Sequence, residues 1–93
     1  MKLKYFLCAI GYDAEAYVSD LEETLAEFED EREACIAFDK FIWNENANEH
    51  FKTWTSVRDI LLQVEKCVET EHSIECIDII KEEWIENSNY KEA

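Results

Sequence analysis

An acidic run, DLEETLAEFEDERE, at residues 20–33 limits the structures that this chain can adopt. The run places eight carboxylates in fourteen positions, against one base, Arg32. The formal charge of the whole chain is −14, and like charges at this density repel one another in a compact state. A folded structure must therefore keep these carboxylates at the surface and bury enough apolar area to offset the repulsion.

The apolar content is high enough for such a core. Hydrophobic residues make up 47% of the chain and aromatic residues 13%, whereas a disordered acidic tail lacks the apolar area that offsets chain entropy. For 93 residues we expect a single domain, 1–93, with a small core. The four cysteines show no C-x-x-C spacing and follow no signal peptide, so we expect reduced, mostly buried thiols and a cytoplasmic protein without a membrane segment.

The N-terminal third of the sequence predicts a β-hairpin. KLKYFLCAIGY (2–12) is too apolar on both faces for an exposed helix and favours a buried strand, DAEA (13–16) favours a turn, and YVSDLEETLAEF (17–28) matches the first strand in length. A helix is the alternative for the second segment, because Leu21, Leu25 and Phe28 also fit one helical face after a capping box.

The clearest helix is DEREACIAFDKFIW (30–43). Asp30 and Glu33 have the spacing of a helix N-cap, and the apolar residues that follow gather on one stripe. The polar segment NENANEHFK (44–52) predicts a loop.

The C-terminal half is ambiguous between strands and helices. VRDILLQVEKCV (57–68) fits either period, whereas the isoleucine content of SIECIDIIKEEWI (73–85) favours a strand, with ETEH (69–72) as the turn. We therefore predict an α+β fold, β-β-α-β-β, with one helix packed on a small antiparallel sheet. The alternative is β-β-α-α-α.

No pattern in the sequence predicts catalysis, a metal or another cofactor. His50 and His72 lie in no nucleophile motif, and Gly11 alone cannot form a glycine-rich phosphate loop, so we expect a protein that is not an enzyme. Cys67, His72 and Cys76 have C-x4-H-x3-C spacing, which is not a standard zinc pattern. We favour the interpretation that the two cysteines are small core residues beside an exposed histidine in a turn. The two thiols can nevertheless meet if 67 and 76 face each other across a hairpin.

The acidic runs are the main functional signal. Residues 13–33 hold ten acids and one base, and a second set of acids follows from Glu65 to Glu86. Such a charge disfavours direct binding to nucleic acid or anionic lipid and favours a basic partner. Carboxylates on alternate residues of a strand lie about 6.6 Å apart, a scale comparable to that of backbone phosphates. The residues that we predict to bind the partner are Glu22, Glu23, Glu27, Glu29, Asp30 and Glu31, with Glu69, Glu71 and Glu75 as a second cluster.

In size and charge the chain resembles small acidic phage-encoded inhibitors of bacterial defence, namely anti-CRISPR proteins and DNA-mimic anti-restriction proteins. The resemblance rests on DLEETLAEFEDERE and EKCVETEHSIECID (65–78) and on no specific motif, so no functional residue is carried over from those families. It implies a non-enzymatic inhibitor in the cytoplasm of a bacterial host cell. Such an inhibitor blocks a basic nucleic-acid-binding protein, such as a CRISPR or restriction effector.

The sequence leaves a second function open. An interaction module, such as a homodimer or a toxin-neutralising partner, would use an apolar surface that contains Trp43, Trp54 or Trp84. Its binding would be nearly insensitive to salt, which separates it from an acidic inhibitor. The sequence does not indicate the oligomeric state.

Overall fold

A computed structural model describes residues 2–13, 19–44 and 47–91 of the chain. In chain order the elements are β1 (Lys2–Asp13), β2 (Ser19–Phe28), α1 (Glu31–Ile42), α2 (Ala47–His50), β3 (Val57–Glu69) and β4 (Ile74–Glu86). The predicted β-β-α-β-β order is confirmed, with α2 as an additional single turn. The helical alternatives for 17–28 and 57–85 are wrong over the described residues.

The four strands form one antiparallel sheet in the order β2-β1-β3-β4. After β2, the chain therefore passes over the sheet through α1 and α2, and β3 pairs with the edge of β1 that does not contact β2. The first strand and β3 are central, and this position explains why their sequences are apolar at consecutive residues. Leu61, Leu62 and Val64 of β3 are all buried although the first of them points away from the other two. The helical and strand periods were hard to distinguish in 57–68 for this reason.

The predicted N-cap of α1 is present. The backbone N–H of Glu33 donates to Asp30 Oδ2 at 3.2 Å, and the acidic side chains of the first turn lie where the helix dipole favours negative charge. Ala34 and Phe38 are the buried residues of the helix and pack on the sheet. The acidic end of β2 and the first turn of α1 remain in solvent, where Glu27, Glu29, Glu31 and Glu33 are exposed.

The core lies between α1 and one face of the sheet. Its members come from both central strands, from α1 and from the segment that leads into β3: Tyr5, Leu7, Ala9, Ala34, Phe38, Phe51, Trp54, Val57, Ile60, Leu62 and Val64. Gly11 is required by this packing, since a Cβ atom there would lie 2.8 Å from Val57 Cγ2 and 3.2 Å from Trp54 Cε3. The only glycine of the chain therefore occupies a close approach between β1 and the entry into β3.

Asn87 holds the end of β4 to the beginning of β3. Its side chain is buried, and Nδ2 donates to the backbone oxygens of Trp54 and of Val57, each at 2.7 Å. The backbone N–H of Asn87 also donates to the oxygen of Arg58 at 3.1 Å. One side chain thus connects two segments that are thirty residues apart in sequence.

Several sequence predictions need correction. The segment 44–52 is not only a loop, because residues 47–50 form α2 and Phe51 is fully buried. The cysteines are not mostly buried: Cys8 and Cys67 are, but Cys35 is half-buried and Cys76 is exposed. The turn predicted at 13–16 lies largely outside the described residues. No helix in the described ranges is long and apolar enough to cross a membrane.

Candidate partner-binding surface

One face of the sheet is not covered by either helix, and we call it the open face. Side chains alternate along each strand, so the residues that do not point toward α1 share this face. On β1 they include Lys4, Cys8 and Tyr12, and the register places Cys67, Gln63 and Asp59 of β3 directly beside them. The open face is therefore built from all four strands.

Carboxylates on the open face form two rows that flank β1. One row belongs to β2, and the other runs over β3 and β4; the members are Glu22, Glu27, Asp59, Glu65, Glu69, Glu82 and Glu86. The rows are separated by two strand spacings, about 10 Å. Lys2 and Lys4 share this face, and Arg58 Nε lies 3.4 Å from Asp59 Oδ2. Among the described residues, seven carboxylates therefore meet three bases, an excess of four negative charges.

Lysine neutralises the open face at one end. Lys4 Nζ lies 2.5 Å from Glu27 Oε1 and 2.9 Å from Glu69 Oε2, and these contacts raise the pKa of Lys4 well above its usual range. Lys2 Nζ lies 2.6 Å from Glu29 Oε1 and lowers the pKa of that carboxyl. Three carboxylates near the beginning of β1, Glu27, Glu29 and Glu69, are therefore partly neutralised by two lysines.

The structure brings the two predicted acidic clusters to the same end of the sheet. Because the strands are antiparallel, the end of β2 and the end of β3 lie beside the beginning of β1, and Lys4 joins the clusters through Glu27 and Glu69. Asp30 is occupied as the cap of α1. Glu31, Glu71 and Glu75 are exposed in the same region.

Glu22 and Glu23, the other two predicted residues, point to opposite faces of β2. A register shift between Leu7 and Cys8 of β1 interrupts the alternation of β2. Beyond it, Glu22 lies on the open face, whereas Glu23 Oε2 lies 3.2 Å from His50 Nε2 on the side of the helices. Sequence reasoning did not predict the contact between Glu23 and His50, and it placed that histidine in a loop rather than in α2.

Asp59, Glu65, Glu82 and Glu86 are acids of the open face that the sequence analysis did not select. The signal that identifies the first two is parity: positions 59, 65, 67 and 69 share one side of a strand once β3 is accepted as a strand. Gln63, buried between them, donates from Nε2 to Glu82 Oε2 at 3.3 Å. This contact fixes a carboxylate of the edge strand against the centre of the sheet.

Three groups with affinity for metals meet on the open face. Cys67 pairs directly with Cys76 across β3 and β4, and one oxygen of Glu65 and the two sulfurs all lie within 4.8 Å of one another. Burial, and then the neighbouring Cys76 and Glu65, raises the pKa of Cys67 to about 11. The Cys8 thiol donates to Glu65 Oε2 at 3.5 Å. Burial, and then the negative charge of that carboxylate, raises the pKa of Cys8 to about 12.

Cys67 and Cys76 therefore meet as the hairpin reading of the sequence allowed. His72 does not join them, because it lies at the turn with 92% of its side chain exposed.

The exposed apolar residues concentrate on β4. Ile74, Ile77, Ile79 and Trp84 of this edge strand are all exposed, and the Trp84 ring lies 5.2 Å from the Tyr12 ring on the open face. Among the tryptophans proposed for an apolar interface, Trp43 is 84% exposed and Trp84 55%, but Trp54 is buried in the core. Trp54 is therefore not an interface residue.

A shallow apolar groove lies between β2 and α1, on the side away from the open face. It encloses about 370 Å³ and is lined by Leu7, Leu25, Ala26, Ala37, Lys40, Phe41, Asn44 and His50. The contact between Glu23 and His50 at its rim is an imidazole–carboxylate pair. The lining contains no serine, threonine or cysteine that such a pair could activate as a nucleophile.

Comparison with protein-family models, with curated proteins and with solved structures gave no match for this chain. The function is therefore inferred from the geometry and charge of the surfaces described above.

Proposed function

We propose that the protein is a non-enzymatic inhibitor that occupies a basic nucleic-acid-binding surface of a partner protein. One observation carries this proposal: two rows of carboxylates lie on a sheet face that no other part of the described chain covers. A rigid sheet holds these charges at fixed spacing, so each lysine or arginine of the partner can make a charge-assisted hydrogen bond without ordering a flexible chain.

The apolar centre of the open face supports the same function. Leu61 and Cys8 are buried beneath their neighbours, and the Trp84 ring beside them is half exposed. A partner that covers this face would bury an aromatic residue within a ring of charged pairs, the arrangement in which a few residues dominate binding energy. The acids would then provide association rate and specificity, and the tryptophan would slow dissociation.

The structure changes which substitutions test the proposal. Reversal of Glu27, Glu29 and Asp30, the obvious choice from the sequence, would break two lysine contacts and a helix cap, and a loss of binding would then also reflect a damaged fold. Three exposed carboxylates of the open face that make no ion pair within the described residues are the better choice: Glu22→Gln, Glu82→Gln and Glu86→Gln.

The matched control removes the same number of charges from exposed residues elsewhere. It combines Glu33→Gln in α1, Glu49→Gln in α2 and Glu83→Gln on the helix side of β4. Both triple variants carry a formal charge of −11, which is −14 plus three. A difference between them therefore reports the position of the charges and not their number.

The experiment is capture of proteins from a bacterial lysate on the immobilised chain at low salt. A target that the chain holds through its nucleic-acid site should be eluted by a short DNA or RNA duplex at constant ionic strength, but much less by polyglutamate of equal charge concentration. The open-face triple variant should lose the captured protein, and the control triple should retain it. Equal loss from both variants, or equal elution by the two polyanions, would contradict the proposal.

The exposed apolar residues of β4 support a second candidate, a salt-insensitive interaction module. Ile74, Ile77 and Trp84 lie on an edge strand whose outer side pairs with no other strand of the described chain. The open-face triple variant should then bind like the parent chain, and the complex should persist at high salt. Size-exclusion chromatography at low and high salt separates this function from the acidic inhibitor.

A further inference from the structure

We infer that Glu65, Cys67 and Cys76 form a binding site for a thiophilic divalent cation, with Zn²⁺ as the expected ion. The site lies on the open face, beside the turn between β3 and β4. It differs from the Cys67–His72–Cys76 trio considered from the sequence, because the histidine is replaced by a carboxylate two residues before Cys67 on the same strand. The inference is independent of the proposed inhibitory function.

The strand register places these ligands together. Cys67 and Cys76 are direct partners in the antiparallel pair, and Glu65 shares the face of Cys67 because it lies two residues away. Two sulfurs on one tetrahedral zinc lie about 3.8 Å apart, given a Zn–S bond of about 2.3 Å. The ligand atoms here are within 4.8 Å of one another, so changes in side-chain torsions bring them to that distance while the strands stay in place.

The chemistry of the donors selects the class of metal. Two thiolates and one carboxylate form a soft set that suits Zn²⁺ or Cd²⁺, whereas Mg²⁺ and Ca²⁺ require mainly oxygen ligands. Binding releases one proton from each thiol to the solvent, so the cation meets three negative ligands. Cys76 is exposed and gives the ion a route of entry, and solvent completes the coordination.

The neighbouring contacts are compatible with this role. Cys8 donates to one oxygen of Glu65 and would orient the carboxylate, as an outer hydrogen bond does for many metal ligands. Cys76 Sγ lies 3.7 Å from the backbone oxygen of Asp78, a weak contact that metal binding would replace. Lys4, opposite Cys67 on β1, is a nearby positive charge, but its Nζ is held by two carboxylates.

The test is a titration of the reduced, chelator-treated full chain with Co²⁺, which reports thiolate ligation by a charge-transfer band in the near ultraviolet. We expect one Co²⁺ per chain and displacement by Zn²⁺ but not by excess Mg²⁺. Cys76→Ser should weaken binding by at least about tenfold, the loss that follows removal of even an outer-shell partner in known metal sites. Glu65→Gln should weaken it while keeping the band.

Cys35→Ser is the matched control, because Cys35 lies in α1 on the other side of the sheet and should not affect the titration. Cys76 is preferred over the buried Cys67 for the main variant, since an exposed serine leaves the fold intact. Zn²⁺ should also raise the Tm of the parent chain and of the Cys35 variant, but not that of Cys76→Ser. Absence of the band, an equal band in Cys76→Ser, or displacement by Mg²⁺ would each overturn the inference.

Discussion

Asn87 offers the sharpest test of how this sheet is held together. Replacement of Asn87 by alanine removes the two hydrogen bonds that its Nδ2 donates to the backbone oxygens of Trp54 and Val57, both at 2.7 Å. A buried hydrogen bond contributes about 1 kcal/mol net, and a buried acceptor left without its donor costs about 1–3 kcal/mol. We therefore expect a loss of about 2–3 kcal/mol in the free energy of unfolding, a large part of the about 5–15 kcal/mol typical of a domain.

The measurement is urea denaturation followed by tryptophan fluorescence, because Trp54 is buried beside the affected carbonyl. For a domain of this size the same loss lowers Tm by roughly 10–20 °C. The adjacent exposed residue provides the control: Ser88→Ala should change stability by less than about 0.5 kcal/mol. If Asn87→Ala is no more destabilising than this control, the amide does not hold β4 to the entry into β3.

A pH series with Asn87→Asp extends the test. The aspartate has the same shape, but its ionised form places negative charge against the two carbonyl oxygens, so burial raises its pKa in the folded state above the unfolded value. Such a group binds more protons when folded, and stability relative to Asn87→Ala should fall as pH rises above the unfolded carboxyl pKa of about 3.9. Below that pH the protonated carboxyl group can donate one hydrogen bond, so the stability that Asn87→Asp loses relative to the parent chain should be smallest there.

Three further predictions concern the sheet and its charges. Gly11→Ala should destabilise the protein by about 1–3 kcal/mol, because the new methyl group would lie 2.8 Å from Val57 Cγ2; a gain in stability would contradict that packing. Lys2→Met should return the pKa of Glu29 upward to its ordinary range in an NMR pH titration, because the lysine stabilises the ionised carboxylate. In the parent chain this contact stabilises the fold above the pKa that Glu29 has in the unfolded chain, and the stabilisation is lost as pH falls through the lower pKa that Glu29 has in the folded protein. An unchanged pKa would show that the contact is not formed. Cys8, whose pKa is raised to about 12, should remain unmodified by iodoacetamide at mildly alkaline pH, whereas the exposed Cys76 should be alkylated. Mass spectrometry of peptides measures both reactions, and equal alkylation rates at the two cysteines would contradict the burial of Cys8.

Elements with strong local signals could be predicted from the amino-acid sequence. The cap and apolar stripe of α1 were sufficient to predict a helix at 30–43, and the observed helix is Glu31–Ile42 with Asp30 as its cap. The apolar run of β1 and the isoleucines of β4 also predicted strands from local signals, because these side chains favour an extended backbone in a sheet. The net charge of −14 also follows from composition alone, and the proposed basic partner was inferred from it.

Which acids share a surface depends on how the strands pair in three dimensions. Whether Glu22 faces the open side depends on a register shift between β1 and β2, and the contact of Lys4 with both Glu27 and Glu69 depends on β1 lying between β2 and β3. Likewise the meeting of Cys67 and Cys76 depends on the register of β3 with β4. Pairing partners and register arise from long-range packing and not from local propensity. The composition therefore shows that the protein is acidic but not which of its surfaces carries the carboxylates.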